Sequence, residues 1–258
     1  MRAKWMKILK ILRVSLSLAK ANFILRIEGS YLGIFWYLLN PLALFYIILF
    51  IQKSAFAGSP TPHYPAYLMI GIIGLNFFRQ VISSSIQSIA ASGDYIKSMN
   101  NIAPEVLVLS VVFQSALSHF FEFILMIGFM VYWRISLLGL LFYPFIFAAF
   151  LLLVIGIAFI FAAVGVYITD IDNIWSIFAQ LLLFITPIFY VATPGSAVYT
   201  ANLFNPLFYF LEISRRLIIY SEWPPAWMAL TMLILSLSFF VIGLAVFNKY
   251  KKKFAELV

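Results

Sequence analysis

Apolar residues gather into six long runs separated by polar links, at about 31–51, 66–86, 105–133, 137–168, 175–191 and 227–247. A helix needs about 20 mostly apolar residues to cross a bilayer, so the pattern predicts six transmembrane helices. The run at 66–86 is the least clean, because Asn76, Arg79 and Gln80 interrupt it. The run at 137–168 is the longest and holds no charged residue. Between the runs lie a proline-bearing link at 52–65, a serine-rich link at 83–104 and a six-residue link at 169–174. The stretch 192–226 alternates polar and aromatic residues too often to be a span. It reads either as short helices dipping back toward the membrane or as an interfacial hairpin.

Residues 1–30 follow a different pattern. Lys4, Lys7, Lys10 and Arg13 recur every three residues, while Trp5, Ile8, Leu9, Leu12, Leu16, Ala19 and Phe23 recur at steps of three and four. On a helix the second set makes one apolar stripe, with Lys4, Lys7 and Lys10 turned away from it. The segment is expected to be an amphipathic helix lying in the headgroup layer. Lys20 and Arg26 break its apolar run and no small-residue cleavage site follows, so it is not read as a signal peptide.

Composition agrees with the span pattern. The 258 residues are 64% hydrophobic and 10% charged, against about 25% charged in an ordinary soluble domain. A soluble enzyme, a disordered chain and a nucleic-acid-binding domain are excluded, and a single membrane domain over 1–258 is expected. There is no cysteine, and His63 and His119 are too few for a histidine metal cage, so no metal site is expected. The net charge of +8 is unevenly placed. Thirteen of the 17 Lys and Arg fall in the N-terminal segment, the link between the second and third spans (with Arg79 and Lys97) and the tail 248–258. By the positive-inside rule these face the cytoplasm, which puts both termini there and requires an even number of spans.

Chemistry-bearing motifs are absent. The chain has no G-x-x-x-x-G-K-[ST] phosphate loop, no G-x-S-x-G and no H-E-x-x-H. Uphill transport would therefore draw its energy from another subunit or from an ion gradient. Glu122 is the one acidic residue deep within a run, and His119 lies three positions earlier on the same helix face. An intramembrane carboxylate should find a partner. The pair reads either as a structural contact or as a proton relay. Arg79 is expected to snorkel to the cytoplasmic interface. Aromatic residues cluster in the first span (Phe35, Trp36, Tyr37, Tyr46) and the fifth (Trp175, Phe178, Phe184, Phe189, Tyr190). Such rings face lipid, or they form a wall on which sugar C–H faces stack without a fixed hydrogen-bond register.

Five segments, taken in order, resemble the permease subunit of type-2 ABC exporters, specifically the Wzm-like branch that exports O-antigen and teichoic-acid polysaccharides. They are the run from Arg26 through Gly29, Gly33 and Trp36 to Pro41; Asn100 through Pro104 to Leu107; Asp170-Ile171; Thr186-Pro187-Ile188-Phe189-Tyr190; and Asn205-Pro206. The resemblance implies an all-α permease of six spans, with the N-terminal interface helix and re-entrant outer helices before the last span. It implies a homodimer joined to two copies of a separate ATP-binding subunit, which would bind the ATP and Mg; no cofactor is expected in this chain, and it is not an enzyme. It places the chain in a bacterial inner membrane. It further implies that 88–101 holds a coupling helix, with Ser92, Asp94, Tyr95, Lys97 and Asn100 toward the ATPase. Asn205, Pro206, Phe208 and Arg215 would belong to an outer gate in 192–226.

The substrate expected on this resemblance is a polysaccharide on a polyprenyl diphosphate, translocated along the aromatic residues of the first and fifth spans. Arg13, Lys20 and Arg26 would attract the diphosphate at the entrance, since Lys and Arg in the headgroup layer attract strong anions; positive-inside anchoring accounts for them equally. Two other readings stand beside it. One is an exporter of a small hydrophobic drug or lipid. The other is an ion-coupled secondary transporter using Glu122 and His119.

Overall fold

A computed structural model describes residues 2–29, 31–33, 35–55, 61–91 and 103–254. Among these the chain is helical throughout. In order come α1 (Arg2–Glu28), α2 (Phe35–Ala55), α3 (Tyr64–Ala90), α4 (Pro104–Tyr132), a 3-10 turn (Leu138–Phe142), α5 (Tyr143–Tyr167) and α6 (Ile171–Ile185). Then follow α7 (Ala197–Asn202), α8 (Pro206–Arg215), a π turn (Arg216–Tyr220), α9 (Ala226–Tyr250) and a closing 3-10 turn (Lys251–Lys253). Five segments are long and apolar enough to cross a membrane: α2, α3, α4, α5 with its preceding turn, and α9 with its following turn.

The fifth expected span is shorter than its apolar run. α6 stops at Ile185 because Pro187 follows: proline disfavours the helical region for the residue before it, and Thr186 is extended at φ −82°, ψ 139°. Its 15 residues make about 22 Å of helix. The serines at 83–90, expected in a link, instead extend α3 to Ala90. Ser88 donates back to the Ser85 carbonyl at 2.8 Å, which satisfies its hydroxyl inside the helix.

α3 is the central helix, buried along almost its whole length and packed against α2, α4, α5 and α6. α5 and α9 pack most closely. Gly243 meets Gly156 across that crossing, and a Cβ added at Gly243 would lie 2.0 Å from the Gly156 carbonyl oxygen. Small residues of this kind let membrane helices approach backbone to backbone.

α1 meets the bundle through part of its expected stripe. It packs along α4 through Ser15 and Ala19, both fully buried, with Phe23 stacked on Phe121 at 6.0 Å. Ile11 and Leu18 flank that contact, whereas Trp5, Ile8, Leu9, Leu12 and Leu16 of the expected stripe are exposed. The two small side chains admit α4 closely, so size rather than hydropathy selects the packed face, and the larger apolar residues are left facing outward.

Contacts between termini sort the two ends of the bundle. At one end Gln87 of α3 donates to Asp172 of α6, Tyr167 of α5 packs on Tyr250 of α9, and Lys251 pairs with Glu105 at the start of α4. At the other end Tyr220 bonds to Thr61 and Pro62 ahead of α3, and the N-terminal turn of α3 meets the segment after α6.

Candidate functional site

The three helices α2, α3 and α6, with contributions from α1 and α4, enclose an open cleft of about 1160 Å3. Each helix presents one face at helical spacing. α2 contributes Trp36, Asn40 and Leu44; α3 contributes Asn76, Gln80 and Ser83; α6 contributes Ser176, Ala179, Gln180 and Leu183. Positions three and four apart lie side by side on a helix, so each face forms a continuous strip. The strips bring carboxamides and hydroxyls onto a wall that also carries the rings of Trp36, Tyr37 and Trp175. Pro41 sits inside α2 on the same wall. It has no N–H, so the Tyr37 carbonyl loses its usual helical donor there.

Two guanidiniums and one carboxylate line this cleft: Arg26 of α1, Arg79 of α3 and Glu122 of α4. Glu122 is held by His119 Nδ1 at 3.0 Å, and His119 Nε2 is hydrogen-bonded to the Tyr143 hydroxyl. Phe147 stacks on the imidazole at 4.7 Å and 7°, which fixes its plane. The pair read from the sequence is thus a three-member chain running from the cleft wall into the bundle.

The expected pathway residues divide. Trp36 and Tyr37 line the cleft. Phe35, Tyr46, Phe178 and Phe184 are exposed on the outer surface of the chain, and Phe189 and Tyr190 lie beyond the end of α6. The aromatic part of the wall is therefore narrower than the two clusters suggest, and Trp175 is its third member. Of the three expected entrance cations, Arg26 lines the cleft, while Arg13 and Lys20 are exposed on α1 outside it. Arg79, expected to snorkel to the cytoplasmic interface, is half-buried and lines the cleft. The coupling candidates Ser92, Asp94, Tyr95, Lys97 and Asn100 lie outside the described residues.

The outer-gate candidates are packed into the fold. Phe208 and Arg215 are each 1% exposed. Arg215 donates from Nε to the Tyr67 carbonyl at 3.2 Å, from Nη1 to Pro187 at 2.7 Å and from Nη2 to Ile188 at 3.2 Å, with its carbon 3.4 Å from the Tyr67 ring centroid. The Tyr64 hydroxyl donates to the Phe189 carbonyl and the Tyr67 hydroxyl to the Tyr190 carbonyl. Four successive carbonyls, 187–190, are thus met by side chains of α3 and α8. Asn205 accepts from the Leu207 N–H, beside Pro206 in the first turn of α8, and donates to Thr186 Oγ1 at 3.0 Å. Irregular backbone at membrane depth is tolerated only when its polar groups are satisfied this way.

The residues missed in the sequence are the amides and hydroxyls: Asn40, Asn76, Gln80, Ser83, Ser176 and Gln180. Their signal was a spacing of three and four within apolar runs, which marks one polar face rather than a weak span.

No family model matches the chain. It is 26% identical over 237 residues to an O-antigen export system permease protein RfbA of Klebsiella pneumoniae, covering 90% of this chain and 90% of that one. A second Klebsiella pneumoniae protein of the same name is 25% identical over 240 residues, again with 90% of each chain covered. A likeness of this extent, in a chain with several apolar helices long enough to span a bilayer, supports a multi-pass membrane protein of the Wzm-like ABC permease family.

Proposed function

We propose that this chain is the transmembrane subunit of an ATP-driven exporter of lipid-linked polysaccharide, and that the cleft between α2, α3 and α6 is its share of the glycan path. The observation that carries this is the cleft's make-up. A sugar offers hydroxyls and apolar C–H faces together, and a wall mixing Trp36, Tyr37 and Trp175 with Asn40, Asn76, Gln80 and Gln180 meets both without fixing one register. A purely hydrophobic drug or lipid would leave those amides unpaired at a cost of about 1–3 kcal/mol each. The named relatives are export permeases, which favours this reading over an ion-coupled transporter built on Glu122 and His119.

On this reading α6 is the fifth of six crossings, and α7 and α8 are outer re-entrant helices that fix the segment 186–190. Both termini are cytoplasmic, beside the end of the bundle where Lys251 pairs with Glu105. Two copies face each other across the open side of the cleft and close one channel. A separate ATP-binding subunit, in two copies, docks on 88–101 and changes the gap between α2 and α6 with each cycle. Arg13, Lys20 and Arg26 draw the polyprenyl diphosphate of the substrate toward the entrance.

The test replaces cleft residues on α2 and α6 that are exposed and make no core contact: Trp36→Leu, Asn40→Leu and Gln180→Leu together. Glycan at the cell surface should fall about tenfold or more, as expected when stacking and several hydrogen bonds are lost at once, while the chain still copurifies with its ATPase. Unchanged surface glycan would overturn the assignment of the path.

A further inference from the structure

Glu122 is the one acid lining the cleft among the described residues. An acidic side chain within an apolar helix is kept where it pairs or where it faces a polar cavity. Glu122 does both, with one oxygen for each. Oε2 takes the His119 contact at 3.0 Å. Oε1 has no partner among the described residues. It is not sealed off either: the enclosed, unpartnered side-chain oxygens are the hydroxyls of Tyr37, Ser85 and Ser214, and the Glu122 side chain keeps 8% exposure. Oε1 therefore opens onto the cleft that Glu122 lines.

The neighbouring rings hold this carboxyl still. His119 contacts Phe147 of α5 at 4.7 Å and Phe77 of α3 at 4.9 Å. Tyr143, bonded to His119 Nε2, is itself stacked on Phe123 at 4.5 Å. A group fixed this way has little freedom left to lose when a ligand meets it. One proton sits in the Glu122–His119 contact, and whether Nδ1 or Oε2 carries it, Oε1 keeps only lone pairs. It is an acceptor alone, whereas the Asn and Gln amides along the wall each donate as well as accept.

We propose that Glu122 is a specificity-determining residue of the glycan path: its free oxygen accepts a hydrogen bond from a hydroxyl of the sugar beside it, and His119 and Tyr143 position it. This rests on the glycan-path reading above. Because Oε1 accepts and cannot donate, it favours a sugar unit with a free hydroxyl at that point over one whose hydroxyls are alkylated or acylated.

The probe is glycan released by mild acid from the surface polymer of cells carrying this exporter, cut to oligosaccharides and used either free or fully O-methylated. Each form is titrated against the full chain in nanodiscs by tryptophan fluorescence, with empty discs subtracted. The quantity read is the ratio of dissociation constants, methylated over free. In Glu122→Gln the side-chain carbonyl can keep the His119 contact, which turns an NH2 toward the cleft, and a methyl ether accepts from that donor as a hydroxyl does. The ratio should therefore fall about fivefold or more from wild type to Glu122→Gln, the size of one lost hydrogen bond. Tyr143→Phe should lower it about twofold alone and not at all in a Glu122→Gln background, because a positioning residue acts only through the group it positions. A ratio unchanged by Glu122→Gln overturns the proposal, and an equal effect of Tyr143→Phe with and without Glu122 overturns the positioning role. The cleft triple variant of the preceding section separates the two readings. If it weakens both probes while Glu122→Gln keeps the wild-type ratio, the path stands without the Glu122 contact. If the wild type binds neither probe, the path falls and this contact falls with it.

Discussion

Arg215 shows how a single side chain holds an irregular backbone. Its charge faces no carboxylate among the described residues and is met by three carbonyls and the Tyr67 ring. Gly71 leaves the room: a Cβ there would lie 2.7 Å from Arg215 Nη2. Replacing Arg215 with Met would orphan the Pro187 and Ile188 carbonyls at about 1–3 kcal/mol each. The Arg215→Met protein should unfold several degrees earlier in a detergent thermal-shift assay. Arg215→Lys should recover little, because a single ammonium cannot reach three carbonyls in a fork. The sequence offered Arg215 as one polar residue in a gate. Nothing local reveals that its partners lie 148 and 27–28 positions away.

Helices read well from the sequence where apolar runs are long and uniform, as in α2, α5 and α9. They read poorly where a local rule competes. Pro187 ends α6 six residues before the apolar run does, and the serines of α3 continue a helix by bonding back to it. In α1 a further rule decides which face meets the bundle: Ser15 and Ala19 pack on α4 because they are small, and the larger residues of the stripe face outward. The same principle governs the α5–α9 crossing. Gly243→Val would push against the Gly156 backbone of α5. The expected result is a loss of about 1–3 kcal/mol or more from overpacking, read as a lower yield of monodisperse protein by fluorescence-detected size exclusion. Gly128 on α4 has open space around its missing Cβ, so Gly128→Ala should leave the yield unchanged.

For the whole molecule, the cleft is a property of three helices meeting, and no one of their sequences discloses it. Trp36, Tyr37 and Trp175 of its wall were legible as members of clusters along the chain, although the clusters also hold rings that lie off the cleft. The amides were not, because Asn76 and Gln80 look like flaws in α3 until α2 and α6 are set beside them. The proposed assembly also bears on the link between α3 and α4. If that link transmits ATPase motion, Asp94→Pro with Lys97→Pro should lower glycan export several-fold while ATP hydrolysis by the purified complex continues; parallel loss or parallel retention of both activities would count against the coupling role.

α6 has a consequence for the surrounding lipid. Its 15 residues fall about 8 Å short of a hydrocarbon layer about 30 Å deep, and the pinned carbonyls at 187–190 keep it from lengthening. If α6 is the fifth crossing proposed above, acyl chains next to it would have to shorten, tilt or splay. The film would then be pinched beside this helix, and a headgroup carried along that flank would have less oil to cross.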